Sequence, residues 1–228
     1  MDKRKEKILK IVVGDFIKNR KPISSSYIKN NYNLDIGAAT IRNEMAELMD
    51  DGYLVQPHIS GGRIPTQKGY QYFIDKLCEF GIPKSLERKL QKIVKESLKK
   101  RNYFSLLEFI SEVTSNLAIL KLRQSCFFEG LDELFSLSDF KEKKEIILAM
   151  KFIEDLLTSD YLFEDYENSI QVYIGENVPE LGERCKNFSL VCSPWIEDGF
   201  LGIFGPIRMD YSKNISLLEK IKYLAEKI

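Results

Sequence analysis

The chain has 228 residues, 44% hydrophobic and 30% charged, a length and balance that allow one large globular domain or two small ones. Its longest apolar stretches, such as Ile8 to Ile17, are broken by Lys10 and Asp15 and fall short of the about 20 apolar residues of a membrane-spanning helix. The formal charge of zero is the sum of two opposed halves: 21 basic against 12 acidic residues in 1–101, then 13 against 22 in 102–228, so a polyanion-binding part is expected ahead of an acidic one.

Residues 2–20 fit a helix with Ile8, Leu9, Val12, Phe16 and Ile17 on one face, ended by Lys21-Pro22. Ser24-Ser25-Ser26 caps a short helix through Asn30. A turn-rich stretch leads to a further helix from Ala38 to Asp50, closed at Gly52. Tyr53 to Gln56 predicts a strand, His58 to Arg63 a hairpin tip and Ile64 the return. Thr66 then caps a helix carrying Tyr70, Phe73, Ile74 and Leu77. This order predicts a winged helix-turn-helix domain over residues 1–80.

Gly81-Ile82-Pro83 marks a boundary. An amphipathic basic helix is expected over 85–101, and helical spacing continues over 104–122 and 140–158. From Ser169 the period shortens, with strands predicted at Ile170–Ile174, Phe188–Trp195 and Phe200–Phe204, and a closing helix over 212–227. The expected organisation is α+β: a winged helix-turn-helix domain, a helical segment over 84–125, and a mixed helix and strand domain over 126–228.

On a helical wheel, Ile41, Met45, Leu48 and Met49 form the apolar face of the 38–50 helix. Ala39, Thr40 and Asn43 fall on the opposite side, flanked by Arg42. A small polar face near a helix N-terminus suits entry into a major groove, where Asn pairs with adenine and Arg with guanine or a phosphate. The tip adds His58, Ser60, the glycine pair Gly61-Gly62 and Arg63, which allow close backbone approach and a cation in the minor groove. Thr66 and Lys68 offer a phosphate seat at the next helix start. With Ser25, these residues form the expected DNA-contacting set. A solvated amphipathic face is the plainer alternative for the 38–50 helix, a turn histidine without a role is the alternative for His58, and for the basic helix a solvated face is the preferred reading.

No nucleophile–base pair, phosphate loop or dinucleotide fingerprint occurs, and a single histidine leaves no two-His site, so neither an enzyme nor a metal or cofactor is expected. Cys78, Cys126, Cys185 and Cys192 form no Cys-x-x-Cys pair and read as reduced thiols of a cytoplasmic protein. The acidic run Glu164-Asp165-Tyr166-Glu167 reads as a solvated loop. At Gly205-Pro206, followed by Arg208, Asp210 and Tyr211, two readings stand: an anion-binding regulatory surface, or a structural turn with Arg208 and Asp210 pairing locally or capping the last helix.

Two motif groups resemble the HrcA family of bacterial heat-inducible transcription repressors. The first runs Ala39-Thr40-Ile41-Arg42-Asn43-Glu44-Met45-Ala46, Gly52-Tyr53-Leu54, Gln56-Pro57-His58, Gly62-Arg63-Ile64-Pro65-Thr66 and Lys68-Gly69-Tyr70. The second comprises Tyr173 to Asn177, Ser189-Leu190-Val191 and Gly202 to Tyr211, with a weaker middle motif from Glu129 to Phe140. The resemblance implies a homodimer with winged-helix heads over 1–80, a helical linker or dimerisation segment over 84–125 and a reduced GAF-like α/β regulatory domain over 126–228. It further implies an inverted-repeat operator, CIRCE, upstream of chaperone genes, and repression sustained by the GroEL chaperonin. A small-molecule-gated regulator, with the GAF-like domain as sensor, is the alternative. The chain is shorter than family members between Leu117 and Phe128, so an incomplete sheet is expected, with the helices of 84–122 supplying the dimer contact. Gly37-Ala38 stands where the family has Ser-Pro, and Gly61 where it has Ala.

Overall fold

Asp2 opens the first helix: its side chain accepts hydrogen bonds from the backbone N–H groups of Arg4 and Lys5, both at 2.9 Å, tying off donors that the helix leaves unpaired. The computed structural model describes residues 1–58, 61–123, 125–158, 169–178, 185–196 and 199–228, with the backbone alone for 156–158. Ser60, the side chain of Leu157 and the acidic run 164–167 therefore lie outside what is described. The chain divides into two compact units, Met1–Glu79 and Phe80–Ile228.

In the first unit, α1 (Lys3–Asn19) ends where Arg20 turns left-handed, at φ 57°. α2 (Ser25–Asn31) is capped by the Ser24 hydroxyl, which accepts from Tyr27 N–H at 3.1 Å. α3 (Ala38–Asp50) starts at Gly37 without a side-chain cap. Ile8, Leu9 and Val12 of α1, Ile28 of α2, and Ile41, Met45 and Leu48 of α3 are fully buried and form the core. Strands β1 (Leu54–Val55) and β2 (Ile64–Pro65) pair antiparallel, and an isolated bridge between Ile23 and Arg63 stitches the hairpin to the α1–α2 connection. α4 (Gln67–Tyr72) follows its Thr66 cap and runs on as a π-helical turn, Phe73–Leu77.

The second unit begins with α5 (Lys84–Lys100) and α6 (Phe104–Thr114). Next come β3 (Leu117–Leu122), β4 (Ser125–Glu129), α7 (Leu131–Ser136), a 3-10 turn at Ser138–Phe140 and α8 (Lys143–Thr158). β5 (Gln171–Ile174), β6 (Phe188–Trp195), β7 (Gly199–Pro206) and α9 (Tyr211–Ala225) complete it. The five strands form one antiparallel sheet in the order β4-β3-β7-β6-β5. Because successive strand side chains point to opposite faces, Leu117, Ile119, Phe188, Leu190, Phe200 and Phe204 line one core with Phe140 and Phe152. Ala118, Leu120, Val191, Leu201 and Ile203 point the other way and are buried as well, on the side where α9 packs on β6. Helices cover both faces, which is why these strands read as continuous apolar runs rather than alternating ones.

Two expectations change. The helix predicted over 104–122 stops at Thr114, because Ser115 turns left-handed (φ 54°) and Leu117–Leu122 joins the sheet. Across the shortened stretch, Ala118 to Leu122 pairs with Glu129 to Ser125 as a hairpin. Finally, α5, α6 and β3 of the 84–125 span belong to the same compact unit as the rest of the sheet, with α5 packed on α9 and α6.

Candidate nucleic-acid interface

Burial of Ile41, Met45 and Leu48 fixes which side of α3 faces out. Ala39, Arg42 and Asn43 are exposed and Thr40 is half-exposed, so the small polar face of the sequence reading is presented by the first turns of the helix. Two ion pairs set the roll of α3 on α1. The buried Glu44 carboxylate receives Arg4 at 2.7 Å, and Lys5 reaches Glu47 at 2.5 Å. Neither pair was visible in the sequence, because adjacent cations at 4–5 and carboxylates at 44 and 47 carry no local signature.

The hairpin is pinned beside this face. Ile23 and Arg63 exchange backbone hydrogen bonds at 2.9 and 2.8 Å. A Cβ on Gly62 would stand 2.5 Å from the Ile23 carbonyl carbon and 2.6 Å from Pro22, so only glycine permits the approach. At the tip, Gly61 N–H donates to the His58 carbonyl at 2.8 Å and Gln56 Nε2 donates to the Gly61 carbonyl at 3.0 Å. Gln56 is thus a positioning residue the sequence reading passed over. A Cβ on Gly61 would lie 3.2 Å from the same His58 carbonyl, a tight fit. His58 is exposed.

Arg63 is half-buried, and its Nε has no hydrogen-bond partner among the described residues. Burial, and then the nearby positive charge of Arg42, hold its guanidinium below the usual arginine range. A cation from another element therefore acts on Arg63, an arrangement suited to an anion.

Other candidates sit elsewhere. Ser25 is only 3% exposed, so its side chain does not join the face. The Thr66 hydroxyl donates to the Gly52 carbonyl at 2.7 Å and accepts from Gly69 N–H at 3.1 Å. Lys68 Nζ donates to the Asp51 carbonyl at 2.7 Å and lies 4.5 Å from the Tyr53 ring centre. Both residues hold the turn after α3, at the opposite end of the helix from Ala39 and Arg42.

In the second unit, Arg208 is buried and grips Asp139 with two guanidinium nitrogens, Nε at 2.7 Å. Its partner is Asp139 rather than Asp210, which instead caps α9 by accepting from Lys213 N–H at 3.1 Å. Tyr211 donates to the Ile207 carbonyl at 2.6 Å, and burial raises its pKa. Gly205 and Pro206 end β7, where a Cβ on Gly205 would strike Asn116. Each of these contacts is internal. An open pocket of about 430 Å³ lies between the start of α5 and α9, lined by Phe80, Ile82, Glu87, Ser216 and Tyr223 among others. Among the described residues no group of three His, Cys, Asp or Glu is placed to hold a metal, and no helix is long and apolar enough to cross a membrane.

Known proteins resemble this chain along most of its length. It is 30% identical over 227 residues to the Heat-inducible transcription repressor HrcA of Natranaerobius thermophilus, covering 97% of this chain and 62% of that protein. With the HrcA repressor of Desulforudis audaxviator it shares 46% identity over 113 residues, 50% of this chain and 30% of the relative. The chain thus spans less than two thirds of these relatives' length. A crystal structure described as a hypothetical protein at 2.2 Å resolution superposes with a TM-score of 0.75 at 17% identity, covering 99% of this chain and 97% of that one, and shares the fold. The family model for the HrcA protein C terminal domain matches residues 70–215, and on that match the chain belongs to the HrcA family.

Proposed function

We propose that the protein is a sequence-specific DNA-binding transcription repressor, with no catalytic role, acting in the cytoplasm on heat-shock genes. In this reading residues 1–79 form a winged helix-turn-helix domain, α3 enters the major groove by its first turns and the β1–β2 hairpin is the wing. The observation that carries it is the exposed Ala39, Arg42 and Asn43 face beside the half-buried Arg63. Thr40, His58, Gly61 and Gly62 belong to the same contact surface, and the repressor names of the family relatives support the assignment.

The operator is an inverted repeat of the CIRCE type, bound by a homodimer, because a two-fold protein matches a palindromic site and pairing two heads multiplies affinity. The second unit is the GAF-like regulatory part, through which the GroEL chaperonin sustains repression. Its five-stranded antiparallel sheet with helices on both faces supports that reading. The Arg208–Asp139 pair supports a structural role for the Gly205–Tyr211 motif. The pocket between α5 and α9 is where a small-molecule gate, the second reading, would act.

A gel shift with a CIRCE duplex across a salt series tests the proposal. Binding is expected to fall steeply as salt rises, since each phosphate contact releases counterions, and to strengthen when GroEL is added. Absence of operator binding by the purified dimer with GroEL present would sink it. Strengthening by a metabolite instead of GroEL would favour the second reading.

A further inference from the structure

The second unit is acidic in sum, yet α5 presents a cationic edge to solvent. Arg88, Lys92, Lys95 and Lys99 recur at i, i+4, i+7 and i+11 and so fall within about 60° of the helix circumference. They stand opposite Leu90 and Val94, both 0% exposed. All four are exposed, and none has an ion-pair partner among the described residues. Glu87, the acidic residue of the first turn, is drawn aside to Lys220 of α9. Like charges three and four residues apart work against a helix, and the one carboxylate of α5 at such a spacing, Glu96, stands beside the stripe, four residues after Lys92 and three before Lys99.

We propose that the Arg88–Lys99 stripe is a second nucleic-acid contact, binding the sugar–phosphate backbone of duplex DNA outside the bases read by α3. The stripe is about 16 Å long and faces a polymer that carries a negative charge every 3.4 Å or so along each strand. The other polyanion surfaces fit less well. A helix that binds membranes needs its apolar face free for the lipid, and here that face is packed on α6 and α9. A protein partner needs apolar or aromatic anchors at the centre of the contact, and the stripe has none. Backbone contact of this kind adds affinity without sequence preference. The proposal rests on the DNA-binding reading for its choice of duplex, but it concerns affinity alone.

The test uses the full chain with Arg88, Lys92, Lys95 and Lys99 changed to Gln, which keeps helix propensity. A control changes the exposed Lys141, Lys143, Lys144 and Lys151 to Gln. Affinity for a random-sequence duplex and for a CIRCE duplex is measured by fluorescence anisotropy between 50 and 200 mM salt. The stripe variant is expected to lose about tenfold or more on both duplexes, with the salt slope falling by about 2 to 3.6 per protomer at 0.9 per phosphate. The ratio between the two duplexes is expected to stay unchanged, and the control to stay near wild type. An unaltered slope, an equal loss in the control, or tighter binding to phosphatidylserine vesicles than to duplex would each overturn the proposal. Failure to distinguish CIRCE from random duplex would overturn the repressor reading instead, and leave the stripe to be judged on the random duplex.

Discussion

Arg42 sets its positive charge against Arg63, and the Arg63 guanidinium is held below the usual arginine range first by burial and then by that neighbour. A like-charge pair with one unpartnered nitrogen works against the folded state, so the two residues are expected to separate in their effects. Arg63→Met is expected to leave the melting temperature unchanged or higher, while reducing the salt slope of DNA binding by about 1 per protomer. A melting temperature that drops with DNA binding intact would assign Arg63 to the core.

Arg42 stands with Asn43 on the exposed side of α3, where base edges are in reach. Arg42→Ala is expected to cost about 1–3 kcal/mol on a CIRCE duplex and much less on random sequence. Parallel titrations of both duplexes decide the point: an equal loss on the two would mean that Arg42 touches only backbone.

Much of this face was legible beforehand, and the reasons are local. α3 has the predicted bounds because its apolar residues keep the helical period and glycines flank it. β6 runs from Phe188 to Trp195 as expected because it is an apolar run bounded by turn residues. Leu117 and Leu120 misled, since a spacing of three satisfies a helix and a doubly buried strand equally well. What separates the two is the left-handed Ser115, a tertiary outcome. At Thr66 and Lys68 the local pattern shows only a hydroxyl and a cation at a helix start, and only the fold brings the Gly52 and Asp51 carbonyls to them. The Arg4–Glu44 and Arg208–Asp139 pairs join residues far apart in sequence, beyond the reach of any local pattern.

The Arg208–Asp139 pair is nearly dry, with side-chain exposures of 9% and 23%. Removing one charge from such a pair leaves the other buried and uncompensated. Asp139→Ala is expected to destabilise the protein by about 3 kcal/mol in urea unfolding, the low end of the range for a buried pair because Asp139 keeps some water contact. Combining Asp139→Leu with Arg208→Met is expected to recover most of that loss. A double variant as unstable as the single one would deny the pairing its structural role.

Alkaline stability of the first unit should depend on two tyrosines. Tyr32 donates to the buried Asp15 at 2.7 Å, and burial followed by that bond pushes its pKa up to about 12. Tyr72 donates to Glu6 at 2.7 Å, and that bond followed by burial takes it to about 12 as well. A folded-state value above the unfolded one, near 10, means that the contribution is complete below pH 10 and is lost as pH rises toward 12. The unfolding free energy is therefore expected to fall over pH 10–12. Tyr32→Phe should flatten that fall, and a pH dependence identical to wild type would refute the assignment.

Two glycines test how closely the hairpin is held. Gly14 lies inside α1 with nothing within 4 Å of where a Cβ would stand. Gly14→Ala is therefore expected to stabilise by about 0.5–1 kcal/mol, through lower backbone entropy in the unfolded chain. At Gly62 the same added methyl meets the Ile23 and Pro22 backbone at 2.5–2.6 Å, and backbone cannot yield as a flexible side chain would. Gly62→Ala is expected to destabilise by about 1–3 kcal/mol and to weaken operator binding beyond that, because the Ile23–Arg63 bridge that sets Arg63 beside Arg42 must open. Thermal melts and titrations of the two variants side by side check this. If Gly62→Ala melts like wild type, the bridge does not hold the hairpin, and the placement of Arg63 must come from β1–β2 pairing alone.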